Sequence, residues 1–207
     1  ITEYLNAVLL YSLLQKQEHD FHLRLRPVRI AMPVNLRRFF PSKTLRNFIT
    51  MVYPSIDPRL GDYTFEEIVT QVHHYMRYYI NSKFLRGDIT TNASTQRNPL
   101  IRIVPLFLKD FVVRQFYQRV QDKNSSAGLT NMGAIRVPDD MKPYLERFDI
   151  YMGIPYSQRT NCAIVSFEDT LTVNFASCII EADVERRFFQ KLVEDGIPVT
   201  IESNREL

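Results

Sequence analysis

The stretch Leu5, Ala7, Val8, Leu9, Leu10, Leu13 and Leu14 constrains this chain more than any other. At about 100° per residue these side chains occupy nearly every side of a helix from about Glu3 to Gln17. A helix that is apolar all round must be covered all round. It therefore belongs inside a layered fold, and the chain must supply the layers. Its 207 residues can do so as one domain. Thr2 is the expected N-cap. Glu3 precedes the apolar run where a secretory leader would carry basic residues, and no uninterrupted apolar run reaches the length of a membrane span. These features point to a cytoplasmic protein with no membrane partner. Cys162 and Cys178 fit no zinc or redox spacing and read as buried, inert thiols in a reducing compartment.

The rest of the chain alternates between helix and strand signals. Val28 to Leu36 and Asn47 to Tyr53 read as strands, with a proline- and arginine-rich loop between them. Thr64-Phe65-Glu66-Glu67 is a capping box. It opens a helix whose Phe65, Ile68, Val69, Val72, Met76, Tyr79 and Ile80 share one face. Asn92 to Asn98 reads as less regular and leads to a further helix, about Leu106 to Gln121, with Pro105 suited to its first turn. Leu129 to Ile135, Phe148 to Met152, Cys162 to Phe167 and Thr170 to Ala176 read as strands. The last two are joined at Glu168-Asp169 as a short hairpin that lacks the usual glycine. A final helix, about Asp183 to Asp195, ends at Gly196 and Pro198, and Val199 to Ile201 is a candidate edge strand. The class is α/β, with a mixed sheet covered by helices.

Charge is distributed unevenly. The net charge is +3, yet no acidic residue lies between Asp20 and Asp57, while Arg24, Arg26, Arg29, Arg37, Arg38, Lys43 and Arg46 do. A basic stretch in a near-neutral chain points to a local anionic ligand. Nucleic acid is disfavoured, because Phe39-Phe40 is the only aromatic pair among these basics. His73-His74 invites a metal or general-base reading, but adjacent helical positions diverge and cannot converge on one ion. His19 and His22 fall in a solvated turn. Asp139-Asp140 and Glu66-Glu67 suit a turn and a helix N-terminus. No phosphate-loop, dinucleotide, nucleophile-elbow or zinc-protease motif is present.

The order of several short segments resembles the C-terminal half of the chloramphenicol-acetyltransferase-like acyltransferase superfamily. That group includes alcohol acetyltransferases, wax-ester synthases, plant BAHD acyltransferases and the condensation domains of nonribosomal peptide synthetases. Pro33-Val34-Asn35-Leu36-Arg37 resembles the family's PV-x-x-R strand end. Arg46-Asn47-Phe48 resembles GN-F with Arg46 for the glycine, and Thr130-Asn131-Met132-Gly133 resembles SN-x-G. Arg97-Asn98-Pro99-Leu100 repeats RNPL. Asp149 to Pro155 keeps the aspartate, second glycine and proline of DFGWGKP.

The resemblance implies one subdomain of a coenzyme A-dependent acyltransferase, closest to the alcohol-acetyltransferase branch. Such an enzyme moves an acyl group from a thioester to a hydroxyl or amine. The family's HHxxxDG motif lies in the N-terminal half, which is expected to be missing here. His73-His74 is followed by Tyr75-Met76-Arg77 and has no Asp-Gly, so the catalytic role does not transfer to it. The resemblance places Asn131 and Gly133 in the substrate tunnel, and assigns Arg37, Arg38, Lys43 and Arg46 to the phosphates of coenzyme A or a carrier-protein arm. No covalent cofactor and no metal is expected. The expected partners are the N-terminal half, the acyl thioester and, through uncovered apolar surface, a second copy. The isolated chain is expected to be inactive. The alternative is a non-catalytic interaction module of condensation-domain type.

Overall fold

Helix α1, Thr2–His19, buries Leu5, Ala7, Val8, Leu9, Leu10 and Leu14, and the elements that cover it set the architecture. The structure is a computed structural model that describes residues 1–20, 24–97, 105–121, 125–154 and 158–204. The side chains of 92, 95–97, 112–113 and 116–121 are not described. Six strands follow in chain order: β1 (Val28–Asn35), β2 (Ile49–Val52), β3 (Ser55–Ile56), β4 (Ala127–Ala134), β5 (Thr160–Phe167) and β6 (Thr170–Ser177). The further helices are α2 (Phe65–Tyr79), α3 (Ser82–Arg97), α4 (Leu106–Gln121) and α5 (Asp183–Glu194).

The sheet runs β2-β1-β4-β5-β6, and β3 also pairs with β1. It is mixed. β1–β4 and β4–β5 are parallel, whereas β1–β2, β1–β3 and β5–β6 are antiparallel. The fold is thus α/β, a mixed sheet flanked by helices. α1 packs on β1 and is itself flanked by α2 and α5. Cys162 and Ile164 of β5 join Ile30, Met32, Leu129 and the α1 leucines in one core.

Local chemistry accounts for the element ends. The capping box forms: Glu67 N–H donates to Thr64 Oγ1, and Thr64 N–H donates to Glu67 Oε2. α5 ends at Gly196, whose φ of 79° suits a glycine. There Ile197 N–H reaches Leu192 O, and Gly196 N–H reaches Val193 O. The β5–β6 turn is two residues long, with Glu168 at φ 47°, so a non-glycine residue takes the left-handed position.

Several expectations are corrected. Ile1, not Thr2, caps α1, and it makes no side-chain bond. Asn92 through Arg97 continue helix α3. Phe148 to Met152 forms no ladder. Phe148 packs edge-to-face on Phe167, with ring centres 5.1 Å apart, and Gly153 O accepts from Asn161 Nδ2 at 2.8 Å. The segment therefore lies across the second face of β5 and adds no strand. Val199 to Ile201 is likewise not a strand. Cys162 is buried as expected, and burial pushes its thiol pKa well up. Cys178 is exposed, because it follows the last residue of β6 in the turn held by its N–H to Arg159 O. His22, Asn98, Pro99, Leu100 and Pro155 lie outside the described residues.

Tyr4 ties the start of α1 to the end of α5, donating to Asp195 Oδ2 at 2.6 Å, while Lys191 donates to Oδ1. Lys191 and then Tyr4 hold the Asp195 carboxyl below its ordinary pKa. Stability from this bond is therefore present above the unfolded carboxylate pKa and is lost as pH falls through the lowered folded value. Tyr4→Phe is expected to cost about 1 kcal/mol near neutral pH. In urea melts the gap to wild type should close below the carboxylate range. An equal gap at both pH values would contradict the carboxylate's part in the bond.

Candidate functional site

The backbone of β1 shows where the sheet opens. Ile30 N–H donates to Pro54 O and Leu36 N–H to Phe48 O, so even-numbered residues turn their polar groups towards β2 and β3. Arg29 O accepts from Ser126 N–H at 2.7 Å, so odd-numbered residues face β4. The pairing of β1 with β4 covers Ile30↔Ala127 and Ala31↔Gly128 and goes no further. The next odd-numbered residue is Pro33, which has no N–H to offer. Both strands continue, β1 to Asn35 and β4 to Ala134, without pairing to each other. A fork thus opens at the carboxyl ends of two adjacent parallel strands, which is where ligand crevices form in open α/β sheets.

Polar residues border the fork. Asn131 Oδ1 accepts from Gly133 N–H at 2.8 Å, and Asn131 Nδ2 donates to Thr2 Oγ1 at 2.9 Å. Gly133 has φ 78°, and the β4–β5 register shifts between Asn131 and Ala134. The Asn131–Gly133 pair is therefore a bulge that re-aims the end of β4 and is pinned to the first turn of α1. One turn along α1, Asn6 is fully buried. Its Nδ2 makes a 3.9 Å contact with Met32 Sδ, and its Oδ1 has no partner. A lone asparagine inside the apolar run Leu5–Leu10 is the sequence signal for this position. The β1 proline was the signal for the fork, although its direction required the register.

The basic loop leaves the same end of β1. Arg37 is committed within it: its N–H donates to Asn35 Oδ1, and its guanidinium donates to Thr44 O at 2.8 Å and Arg46 O at 2.7 Å. Arg37 thus shapes the loop, whereas Arg38, Lys43 and Arg46 are exposed on it. Asp149 pairs with Arg147, which also holds Glu202, and Asp149 accepts from Asn174 Nδ2. That network is structural.

His73 is half-buried and contacts Glu3 Oε2 through Nδ1 at 2.8 Å, while His74 is exposed. The pair ties α2 to α1. Among the described residues no group of three or more His, Cys, Asp or Glu could hold a metal ion, and no helix is long and apolar enough to cross a membrane. His74, Tyr75, Tyr78 and Tyr79 line a shallow groove of about 670 Å³ on the outer side of α2, with Glu66 and Glu67 at its other end. No protein-family model matches the chain, and no curated protein matches it.

Proposed function

We propose that this chain is one lobe of an acyltransferase of the chloramphenicol-acetyltransferase-like kind, serving a coenzyme A or carrier-protein thioester and a hydroxyl or amine acceptor. The fork between β1 and β4 carries the reading. A pantetheine arm is extended and bears amides, so it can pair with the free backbone groups of parted strands as an added strand would. Its phosphates need cations, and Arg38, Lys43 and Arg46 stand exposed on the loop leaving β1. Arg37 acts indirectly by holding that loop closed. The bulge at Asn131 and Gly133 borders the same end of the sheet.

In the reaction the acceptor oxygen or nitrogen attacks the thioester carbonyl, the carbon–sulfur bond breaks, and the thiol departs. The acceptor's proton goes to a general base, which this reading assigns to a separate N-terminal lobe. This reading gives His73 no such role, because the Asp-Gly that follows the family's histidine pair is absent and the pair lies within helix α2.

The chain alone is expected to bind coenzyme A weakly, with affinity falling as salt rises. Arg38→Ala with Lys43→Ala should weaken binding about fivefold, from about 1 kcal/mol of lost charge contacts. Pro33→Val restores an N–H towards β4 and should weaken binding without lowering the melting temperature. Titration calorimetry at two salt concentrations reads all three. Absent or salt-independent binding would sink the proposal. Acetyl-coenzyme A turnover by the chain alone, lost in His74→Ala, would overturn the placing of the base in another lobe.

A further inference from the structure

Among the described residues, two helix faces are largely open to solvent, and they complement each other. The first is the α2 groove, which lies between the i, i+4 rows Glu66-Thr70-His74-Tyr78 and Glu67-Gln71-Tyr75-Tyr79. Such rows are the ridges between which a second helix seats. Carboxylates stand at one end and tyrosines at the other, and no lysine or arginine lines the groove. Tyr78 is 64 % exposed, and Tyr75 and Tyr79 stack at 4.3 Å as a ready apolar floor.

The second face belongs to α4. Leu106, Phe107, Leu108 and Phe111 are exposed by 44 to 76 %, a concentration of large apolar side chains that marks an interaction surface. Phe107, Phe111 and Arg114 fall within one narrow stripe at helical spacing. Asp110 is also exposed, about 60° round from it. Arg114 lies about 10 Å along the axis from Phe107, and a long side chain adds several ångströms of reach. The carboxylate and tyrosine ends of the groove are about 12–18 Å apart by the same rise. Laid antiparallel to α2, α4 sets its phenylalanines on the tyrosines and Arg114 on the glutamates.

We propose that α4 of one copy docks in the α2 groove of a second copy, and reciprocally, as a two-fold dimer. The proposal goes beyond the acyl-transfer reading and does not rest on it. An isologous arrangement uses each groove and each helix once, so the association closes at two copies. Apolar burial of the phenylalanines drives it, and the charge pair fixes its direction.

Sedimentation velocity on the 207-residue chain over a concentration series tests this. The wild type should show a monomer–dimer equilibrium and no larger species. Phe107→Ser with Phe111→Ser should leave a monomer at every concentration. Glu66→Lys or Arg114→Glu alone should weaken the dimer about tenfold or more, because each reversal acts twice across the two-fold axis. An equimolar mixture of Glu66→Lys and Arg114→Glu chains should regain near-wild-type affinity. In the mixed dimer one contact carries both reversals and the other carries neither. A wild-type monomer throughout, a dimer indifferent to both reversals, or a mixture that stays dissociated would each overturn the proposal.

Discussion

Phe188→Ala is expected to remove about 3–5 kcal/mol of stability. Phe188 is fully buried and sits in the α5 stripe with Val184 and Leu192. Its ring meets Phe175 of β6 at 5.1 Å and its neighbour Phe189 at 5.5 Å, both edge-to-face. Truncation loses the transfer energy of the ring and leaves a cavity that two rigid aromatics cannot collapse into. Phe188→Leu keeps most of the volume and should cost about 1.5 kcal/mol or less. Urea unfolding of the three proteins gives the ordering. A loss below about 1 kcal/mol for the alanine variant would mean that α5 does not close on β6 as described.

Asn161→Leu should be nearly as damaging, for a different reason. Asn161 is 1 % exposed on β5. Its Oδ1 accepts from Gly128 N–H at 2.8 Å, and its Nδ2 donates to Gly153 O at 2.8 Å. Leucine leaves two backbone groups without partners, at about 1–3 kcal/mol each. The same asparagine explains Gly128. A Cβ there would lie 2.7 Å from Asn161 Oδ1, 3.1 Å from Gln158 Oε1 and 3.2 Å from Met152 Cε. Gly128→Ala is therefore expected to cost about 1–3 kcal/mol by overpacking, and less in an Asn161→Ala background, where the nearest obstacle is gone. A double-mutant cycle reads that coupling, and strict additivity would contradict the contact.

Where local chemistry decides an element, the sequence made it legible. The all-round apolar run announced α1, the capping box announced α2, and Gly196 closed α5. The missed helix α3 has the opposite character. Gly87, Thr90, Thr91 and Asn92 are weak helix formers. The start of the helix depends on Asn81 Oδ1 accepting from Lys83 and Phe84 N–H, while Thr90 and Thr91 bond back to the preceding turn. Phe148 to Met152 was misread because Phe148, Ile150 and Met152 alternate as half-buried positions, but Phe148 rests on the face of β5 at Phe167 and the segment pairs with no edge. The site was half visible. The resemblance singled out Asn131 and Gly133, and the basic loop stood out by its charge. Pro33 is plain in the sequence, yet its effect depends on which neighbour its missing N–H would have faced, and that follows only from strand order. Arg37 read as a ligand-binding cation like its neighbours, and only the loop's closure shows its second task, with Nη2 donating to Thr44 O and Arg46 O.

The β1–β4 pairing also governs the order in which the protein assembles. The residues it joins, Ile30 with Ala127 and Ala31 with Gly128, are about a hundred positions apart in the chain. The β5–β6 hairpin closes over a two-residue turn, and α5 follows directly to cap it. Local contacts form first and distant ones late, because the entropy of closing a long loop must be met before any reward. β4 can therefore join its nearer neighbour β5 and then wait with its other edge bare until β1 arrives. Pro33 shortens that bare edge's eventual partner to the few residues before it, so the waiting edge is sealed by very little ladder. During refolding, β4 is where an unsuitable strand would be taken up, and agents that shield open sheet edges should raise the yield of folded chain more than agents that act on helices.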